Sequence, residues 1–358
     1  MRRWFIWYGR RLGYSALAAL LILAAAEGVV RLGGWGLLPA EKYFTDVYDP
    51  NYRMIPGAPN PYSPVRELLN GGGFVGRLFD GPKPPGVVRI IDAGDSTTFG
   101  VPFSHDKAYT HALEQILIAR GEPAECMNAG VPGTWLLPQV MLIKQKLLPQ
   151  YRPDILILYT GVAYRTDFFL EQEMRRGRQP MWRMQRTLAH FHLYRLLRRW
   201  LRPPRFADIM SQYHPDPAVN TSQFVSDRLL RTQTLEDLAE LRALCARYQV
   251  KCLVIPLVSR DLFAKARARR LHAGDLNWKA TEQTDRALTL LRDTLAESGL
   301  HWMSIGDEFL EESYRTDLFY DAIHFSVAGH RFMAGLLADE LCRLGWLPRP
   351  CGASNAAP

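Results

Sequence analysis

Three side chains spread along this 358-residue sequence have the types and spacing needed for nucleophilic chemistry. Ser96 follows Gly94-Asp95 at the end of the apolar run Val87-Val88-Arg89-Ile90-Ile91-Asp92-Ala93, and Asp321 precedes His324 by three residues in Tyr320-Asp321-Ala322-Ile323-His324-Phe325-Ser326. A serine hydroxyl is a weak nucleophile at neutral pH, so it needs a base, a carboxylate to orient that base, and donors for a developing oxyanion. With a spacing of three, one short segment carries both base and carboxylate: Asp321 holds one ring nitrogen and leaves the other for Ser96. A helix N-cap is the competing role for Asp321, and it fits less well because the next helical pattern starts nearer Ser326. His105, His111, His272, His301 and His330 have no acid so placed, and His190, His192 and His214 fall in a later insertion. Asn128-Ala129-Gly130-Val131-Pro132-Gly133 supplies a glycine turn. Asp95, beside the serine, reads as a turn or cap residue.

The elements that must position these groups alternate. Strand-like runs at 87–93, 125–128, 154–160, 251–258 and 301–305 are separated by helical patterns near 107–120, 134–148, 226–248, 276–298 and 326–344. Apolar β-branched runs separated by helix-length segments predict βαβ units and a parallel sheet covered on both faces. The order suits a flavodoxin-like three-layer α/β/α sandwich, with Ser96 at a strand's carboxyl end, where open α/β sheets place ligands.

Together these stretches resemble the SGNH hydrolases, the GDSL-like serine esterases and acyl transferases, over roughly residues 87–345. The blocks that carry the resemblance are Gly94-Asp95-Ser96 with Thr98 and Gly100, then Asn128 to Gly133, then Asp321 to His324. The resemblance implies Ser96 as nucleophile, His324 as general base and Asp321 as its orienting acid, with the N–H groups of Ser96 and Gly133 holding the oxyanion. The third block departs: family members usually carry Gly-x-Asn-Asp after a buried strand, whereas this chain has Gly161-Val162-Ala163-Tyr164. Ala163 therefore stands where the family's oxyanion asparagine belongs. Either the oxyanion hole is incomplete, by inheritance or by an introduced Asn-to-Ala change, or Thr160, Tyr164 or Arg165 supplies the donor. The Gly-x-Ser-x-Gly elbow of the α/β-hydrolases does not occur around Ser96.

At the amino end, Arg2, Arg3, Arg10 and Arg11 precede the apolar segment Leu12 to Ala26. A basic flank before an apolar run is an export signal; Ala24-Ala25-Ala26 resembles a cleavage site, and counted on through Leu38 the segment is long enough to span a bilayer. An uncleaved signal anchor is the favoured reading, and both fates put the remainder outside the cytoplasm, on the periplasmic side in a bacterium. The formal charge of +8 draws partly on these arginines, so no nucleic-acid partner is expected. The expected organisation is an anchor at 1–38, a Pro/Gly-rich linker or irregular strap at 39–86, a hydrolase-like domain at 87–348, and a tail at 349–358. Within the domain lies a basic insertion, about 164–225, with eleven arginines between Arg165 and Arg205, Trp182 and Trp200, and Met184, Leu188, Phe191, Leu197 and Leu201 recurring at helical spacing. It reads equally as a cap helix and as a contact with an anionic membrane surface or substrate.

No metal-ligand constellation, phosphate loop or dinucleotide fingerprint occurs, so no metal and no cofactor are expected. Of the five cysteines, Cys342 and Cys351 form the most plausible pair, while Cys126, Cys245 and Cys252 read at least as well as small core residues. The function these features imply is a membrane-anchored extracytoplasmic esterase or deacylase that acts through an acyl-enzyme on an ester-bearing glycan or lipid. Acyl transfer would use the same residues, and a non-catalytic glycan- or lipid-binding role is the alternative from another class.

Overall fold

The structure, a computed structural model, describes residues 2–35, 54–161, 188, 191–201, 227–260, 278–312 and 316–349. In chain order its elements are α1 (Arg2–Leu32), β1 (Val88–Gly94), α2 (Ser96–Phe99), α3 (Tyr109–Ala119), β2 (Ala124–Gly130) and α4 (Leu136–Leu142), the last running on through a π turn, Ile143–Leu147, to Tyr151. There follow β3 (Ile155–Thr160), α5 (His192–Leu201), α6 (Asp227–Tyr248), β4 (Lys251–Pro256), α7 (Trp278–Ser298), β5 (His301–Trp302), α8 (Gly306–Glu312) and α9 (Val327–Arg343). The chain forms two compact units, Met1–Asp49 with Glu173–Thr221, and Pro50–Gln172 with Ser222–Pro358.

The first unit holds α1 and α5. The stretch Arg11–Leu32 of α1 is long and apolar enough to cross a membrane, a property that anchors and signal sequences share. Its Leu12, Leu17, Leu20, Leu21 and Leu23 side chains are exposed.

The second unit is built on a parallel sheet of order β2-β1-β3-β4-β5. All seven residues of β1 and all six of β3 are buried, as expected of central strands with both faces covered. The register sets Ile90 beside Ile155, Ile157 beside Leu253 and Tyr159 beside Ile255, so these side chains share one face. There they pack against Leu113 and Leu117 of α3 and Met333, Leu337 and Leu341 of α9. Leu156, Leu158 and Val254 point the other way, on the side taken by α4, α6 and α7. This is the three-layer arrangement that the alternating pattern predicts. The chain steps from β1 outward to β2, then crosses to β3 on the opposite side of β1. The crevice outside the carboxyl ends of β1 and β3 is therefore the topological switch point where such sheets bind ligands.

Some elements differ from expectation. The fifth strand is two residues long rather than five, and α2 and α8 were not expected from the apolar pattern. A helix of four or seven residues spans at most two turns, too few to show a 3.6-residue period. Residues 54–86 are irregular but are pinned to the rest of their unit at several points. Glu67 bonds the ring and N–H of His105, Arg77 pairs with Glu114 at 3.2 Å, Lys83 reaches Asp154 at 2.6 Å, and Tyr62 meets Phe99 edge-on. Cys126, Cys245 and Cys252 are buried free thiols, as core residues would be, and Cys342 is disulfide-bonded; Cys351 lies outside the described residues.

One core position is costly. Asp92, in the middle of β1, is fully buried and neither carboxylate oxygen has a hydrogen-bond partner among the described residues. Burial raises its pKa from 3.8 to about 7, against the opposing pull of the nearby Thr110 hydroxyl. Between those values the folded protein keeps a proton that the unfolded chain has released, so stability falls as pH rises across the interval. Asp92→Asn has no proton to lose. Its melting temperature is expected to lie close to wild type near pH 4 and to exceed it by a margin that grows until about pH 7 and then levels off. A margin independent of pH would show that the carboxyl is not held neutral.

Candidate active site

The site begins with the turn after β1. Asp95 caps α2: its Oδ1 accepts the Thr97 N–H at 2.8 Å, and its backbone carbonyl accepts the Phe99 N–H. This is the cap role read from sequence. Burial raises the Asp95 carboxyl to about 6, against the opposing pull of the Thr97 N–H and the His324 charge. Ser96 is the first residue of α2, so its N–H is one of those that the helix itself leaves unpaired.

The turn is pressed onto its neighbours. A Cβ on Gly94 would collide with Thr98 Oγ1, and one on Gly130 would collide with the backbone nitrogen of Phe99. Gly130 therefore does more than permit a bend. It lets the end of β2 touch the backbone of α2. Asn128 fastens the same contact: Nδ2 donates to Thr98 O at 2.6 Å and Oδ1 accepts the Gly130 N–H at 3.0 Å. On the other side, Val131 N–H and the Thr134 hydroxyl both donate to Gly94 O, so the 131–134 turn is bound to the strand end that carries Ser96.

The second half of the site comes from the loop before α9. Phe319 and Phe325 bridge as an antiparallel pair, with Tyr320 N–H donating to His324 O, so residues 320–324 form the tip of a short hairpin. Phe325 is fully buried against Phe309, Phe319 and Tyr159. Neighbouring side chains in an extended segment point to opposite sides, which turns His324 outward over that aromatic base. There His324 Nε2 lies 2.8 Å from Ser96 Oγ, and Nδ1 lies 2.6 Å from Asp321 Oδ2.

Asp321 uses both oxygens. Oδ1 accepts the N–H groups of Ile323 and His324 at 2.9 and 2.8 Å, which fixes the carboxylate, and Oδ2 is left for the imidazole. The backbone contacts of a cap and the ring contact of an orienting acid thus occur in one side chain. The helix itself is capped by Ser326, whose hydroxyl accepts Gly329 N–H. Burial pushes the Asp321 pKa up, but the hydrogen bonds from the His324 ring and from the two backbone N–H groups outweigh it, and the carboxyl ends below its ordinary value. The Ser96 side is nearly closed to solvent, while the Asp321 side chain is 44% exposed. Thr97 Oγ1 donates to Ile323 O at 3.4 Å and ties the two halves together.

Of the other residues singled out from sequence, Gly133 lies in the turn bound to Gly94, with φ +79 and open space where a Cβ would stand. Ala163, Tyr164 and Arg165 lie outside the described residues. Thr160 is fully buried and its hydroxyl donates to Gly161 O at 3.1 Å. Asn128 marked the start of a block without a role of its own; a polar residue in a buried strand was the available signal. A cavity of about 240 Å³ lined by Val75, Arg77, His105, His111, Glu114 and Asn128 includes none of Ser96, Asp321 and His324. Among the described residues no group of three or more His, Cys, Asp or Glu side chains is placed to hold a metal ion.

No protein-family model and no curated protein matches the chain. Solved structures similar to it include an acetyl xylan esterase, at 13% identity and TM-score 0.44 over 71% of this chain and 100% of that one. A lipase/acylhydrolase from Enterococcus faecalis is similar at 14% identity and TM-score 0.43, covering 74% and 100% of the two chains. A lipolytic protein of the G-D-S-L family from Veillonella parvula follows at 12% identity and TM-score 0.42, covering 72% and 99%. Likeness at this level carries nothing over about activity or substrate, so the chemistry rests on the residues of this chain.

Asn128→Ala removes the amide that holds Thr98 O and leaves that buried carbonyl unpaired, which is expected to cost about 1–3 kcal/mol in urea unfolding. If Asn128 positions the turn as well as stabilising it, the rate at which a fluorophosphonate labels Ser96 should fall in the folded variant. An unchanged labelling rate would show that the turn holds itself.

Proposed function

We propose that this protein is a membrane-anchored, extracytoplasmic serine hydrolase that cleaves an ester on a cell-surface glycan or lipid. The observation that carries the reading is the continuous line from Ser96 Oγ through the His324 ring to Asp321, with separations of 2.8 and 2.6 Å, at the switch point of the sheet. Ser96 Oγ attacks the ester carbonyl while His324 Nε2 takes its proton. Asp321 keeps the other ring nitrogen protonated and stabilises the imidazolium. The tetrahedral oxyanion is held by the N–H groups of Ser96 and Gly133, and its collapse expels the alcohol, which leaves with the proton from His324. Water, deprotonated by the same imidazole, then releases the acid and restores the hydroxyl.

The substrate class follows from the anchor reading. With α1 retained, Arg2, Arg3, Arg10 and Arg11 stay in the cytoplasm and the hydrolase unit faces the periplasm and its envelope glycans and lipids. If a sugar hydroxyl replaces water in the second step, the same residues perform acyl transfer. The alanine at position 163 favours a second reading, a protein that binds glycan or lipid in this crevice without turnover. A binding role alone has no use for the Ser96–His324–Asp321 line, and that weighs against it.

A fluorophosphonate probe should label the wild-type protein, and Ser96→Ala should abolish the label; an equally labelled variant would mean that another serine is the nucleophile. Ser96→Ala, His324→Ala and Asp321→Asn should each lower ester turnover by orders of magnitude, and their combination should cost little more than one alone. Losses that add would show that the three do not act as a unit. Restoring the missing donor with Ala163→Asn should raise turnover about 100- to 1,000-fold, the usual worth of one oxyanion donor. Equal rates would mean that the oxyanion hole is already complete.

A further inference from the structure

We propose that α5 is an interfacial helix, lying in the anionic surface of the bilayer that α1 crosses, with Leu197 and Trp200 in the acyl boundary. This rests on the reading of α1 as a retained anchor.

The first observation is a clamp within the N-terminal unit. Glu27 of α1 accepts two backbone N–H groups from the start of α5, Oε1 from His192 at 2.9 Å and Oε2 from Leu193 at 2.7 Å. It also accepts Arg31 Nε at 2.6 Å. A carboxylate near the end of a membrane span is expensive unless its lone pairs are satisfied, and the free N–H groups of a helix start suit an anion. Glu27 lies five residues before Leu32, the last residue of α1, so the clamp sits within about 8 Å of the helix end along its axis. The start of α5 is thereby held at the depth where α1 leaves the hydrocarbon.

The second observation is what α5 presents there. Leu193, Leu196, Leu197, Trp200 and Leu201 recur at positions i, i+3, i+4, i+7 and i+8, which is one face of a helix, and Arg195, Arg198 and Arg199 occupy the opposite positions. Leu193 and Leu196 are half-buried, whereas Leu197 is 48% and Trp200 86% exposed. A ten-residue helix is marginal by itself, and this one leaves its largest apolar side chain bare. A bilayer surface suits this helix at the level the clamp dictates: it offers an acyl boundary for Leu197 and Trp200 and anionic phosphates for a sequence that carries three arginines in seven residues. An anionic soluble ligand would leave Trp200 exposed.

The test uses the full chain in vesicles of phosphatidylethanolamine with phosphatidylglycerol, and separately in phosphatidylcholine alone. A nitroxide is attached at Trp200→Cys, and at Asp339→Cys as an aqueous reference, with the unsubstituted protein reporting any label on the native thiols. In anionic vesicles the label at 200 should be relaxed by oxygen more than by a water-soluble nickel chelate, at a depth of about 5–10 Å below the phosphates, while the label at 339 shows the reverse. In phosphatidylcholine the label at 200 should become shallower. Equal depth in both lipids would overturn the role of the arginines. Flotation with the vesicles reports the anchor independently. Protein that floats while the label at 200 stays aqueous would sink the proposal for α5 alone, and protein that does not float would sink it together with the anchor. Exclusion of both relaxants would instead place position 200 against a second copy. Glu27→Gln weakens the clamp without touching the hydrolase unit. It should make the label at 200 shallower and leave cleavage of a soluble ester unchanged; an unaltered depth would show that Glu27 does not set the level of the helix.

Discussion

The site depends on a steric constraint at the carboxyl ends of two neighbouring strands. The turn that carries Ser96 lies so close to β2 and β3 that neither Gly94 nor Gly130 has room for a Cβ. Close approach without a side chain brings backbone against backbone, and polar groups so buried must find partners in place of water. Asn128 answers that need on both sides of the contact, donating to Thr98 O and accepting from Gly130 N–H. The serine is thus held by the rigid end of the sheet rather than by a flexible loop. A hydroxyl 2.8 Å from an imidazole has value for chemistry only if neither group drifts.

The imidazole reaches the serine across 228 residues of sequence, and topology closes that distance. The last described helix, α9, returns along the face of the sheet shared with α3, so the loop before it arrives above β1. Phe325 anchors that loop in an aromatic cluster with Phe309, Phe319 and Tyr159. Gly329 permits the tight return, because a Cβ there would strike Leu318 O. Apolar packing fixes the loop, and polar bonds through Asp321 fix the ring.

The sheet was legible in the sequence because its central strands are buried on both faces and read as mostly apolar runs between helix-length segments. Ser96 was legible because it ends such a run, and Asp321 and His324 because a spacing of three lets one short segment carry an acid and a base. What the pattern left out were interactions without periodicity. Residues 54–86 have the glycine and proline content of a linker, yet Glu67, Arg77 and Lys83 each find a specific partner on the folded unit. Nothing in local composition encodes such pairings, which depend on where distant side chains emerge. The double use of Asp321 was also hidden, because a cap and an orienting acid leave the same residue type at the same spacing.

Two carboxyls flank the nucleophile, one next to it in sequence and one in space, and their surroundings separate their roles. Asp95 is buried, which raises it to about 6, and its Oδ1 is occupied by the Thr97 N–H. Asp321 is partly open to solvent and lies below its ordinary value, so it is ionised throughout the range in which an imidazole titrates. On the proposed mechanism the imidazolium that forms on His324 needs a carboxylate that is already charged and already aligned, since protonating or reorienting it during the reaction would add to the barrier. Asp321 meets both conditions because its second oxygen is fixed by two backbone N–H groups. Asp95 meets neither with respect to the ring, since its Oδ1 bond is what builds the turn. Exchanging the two environments would leave every residue type in place and remove the line through His324. The relevant information therefore lies in which backbone groups each carboxylate engages, more than in the presence of two acids near a serine.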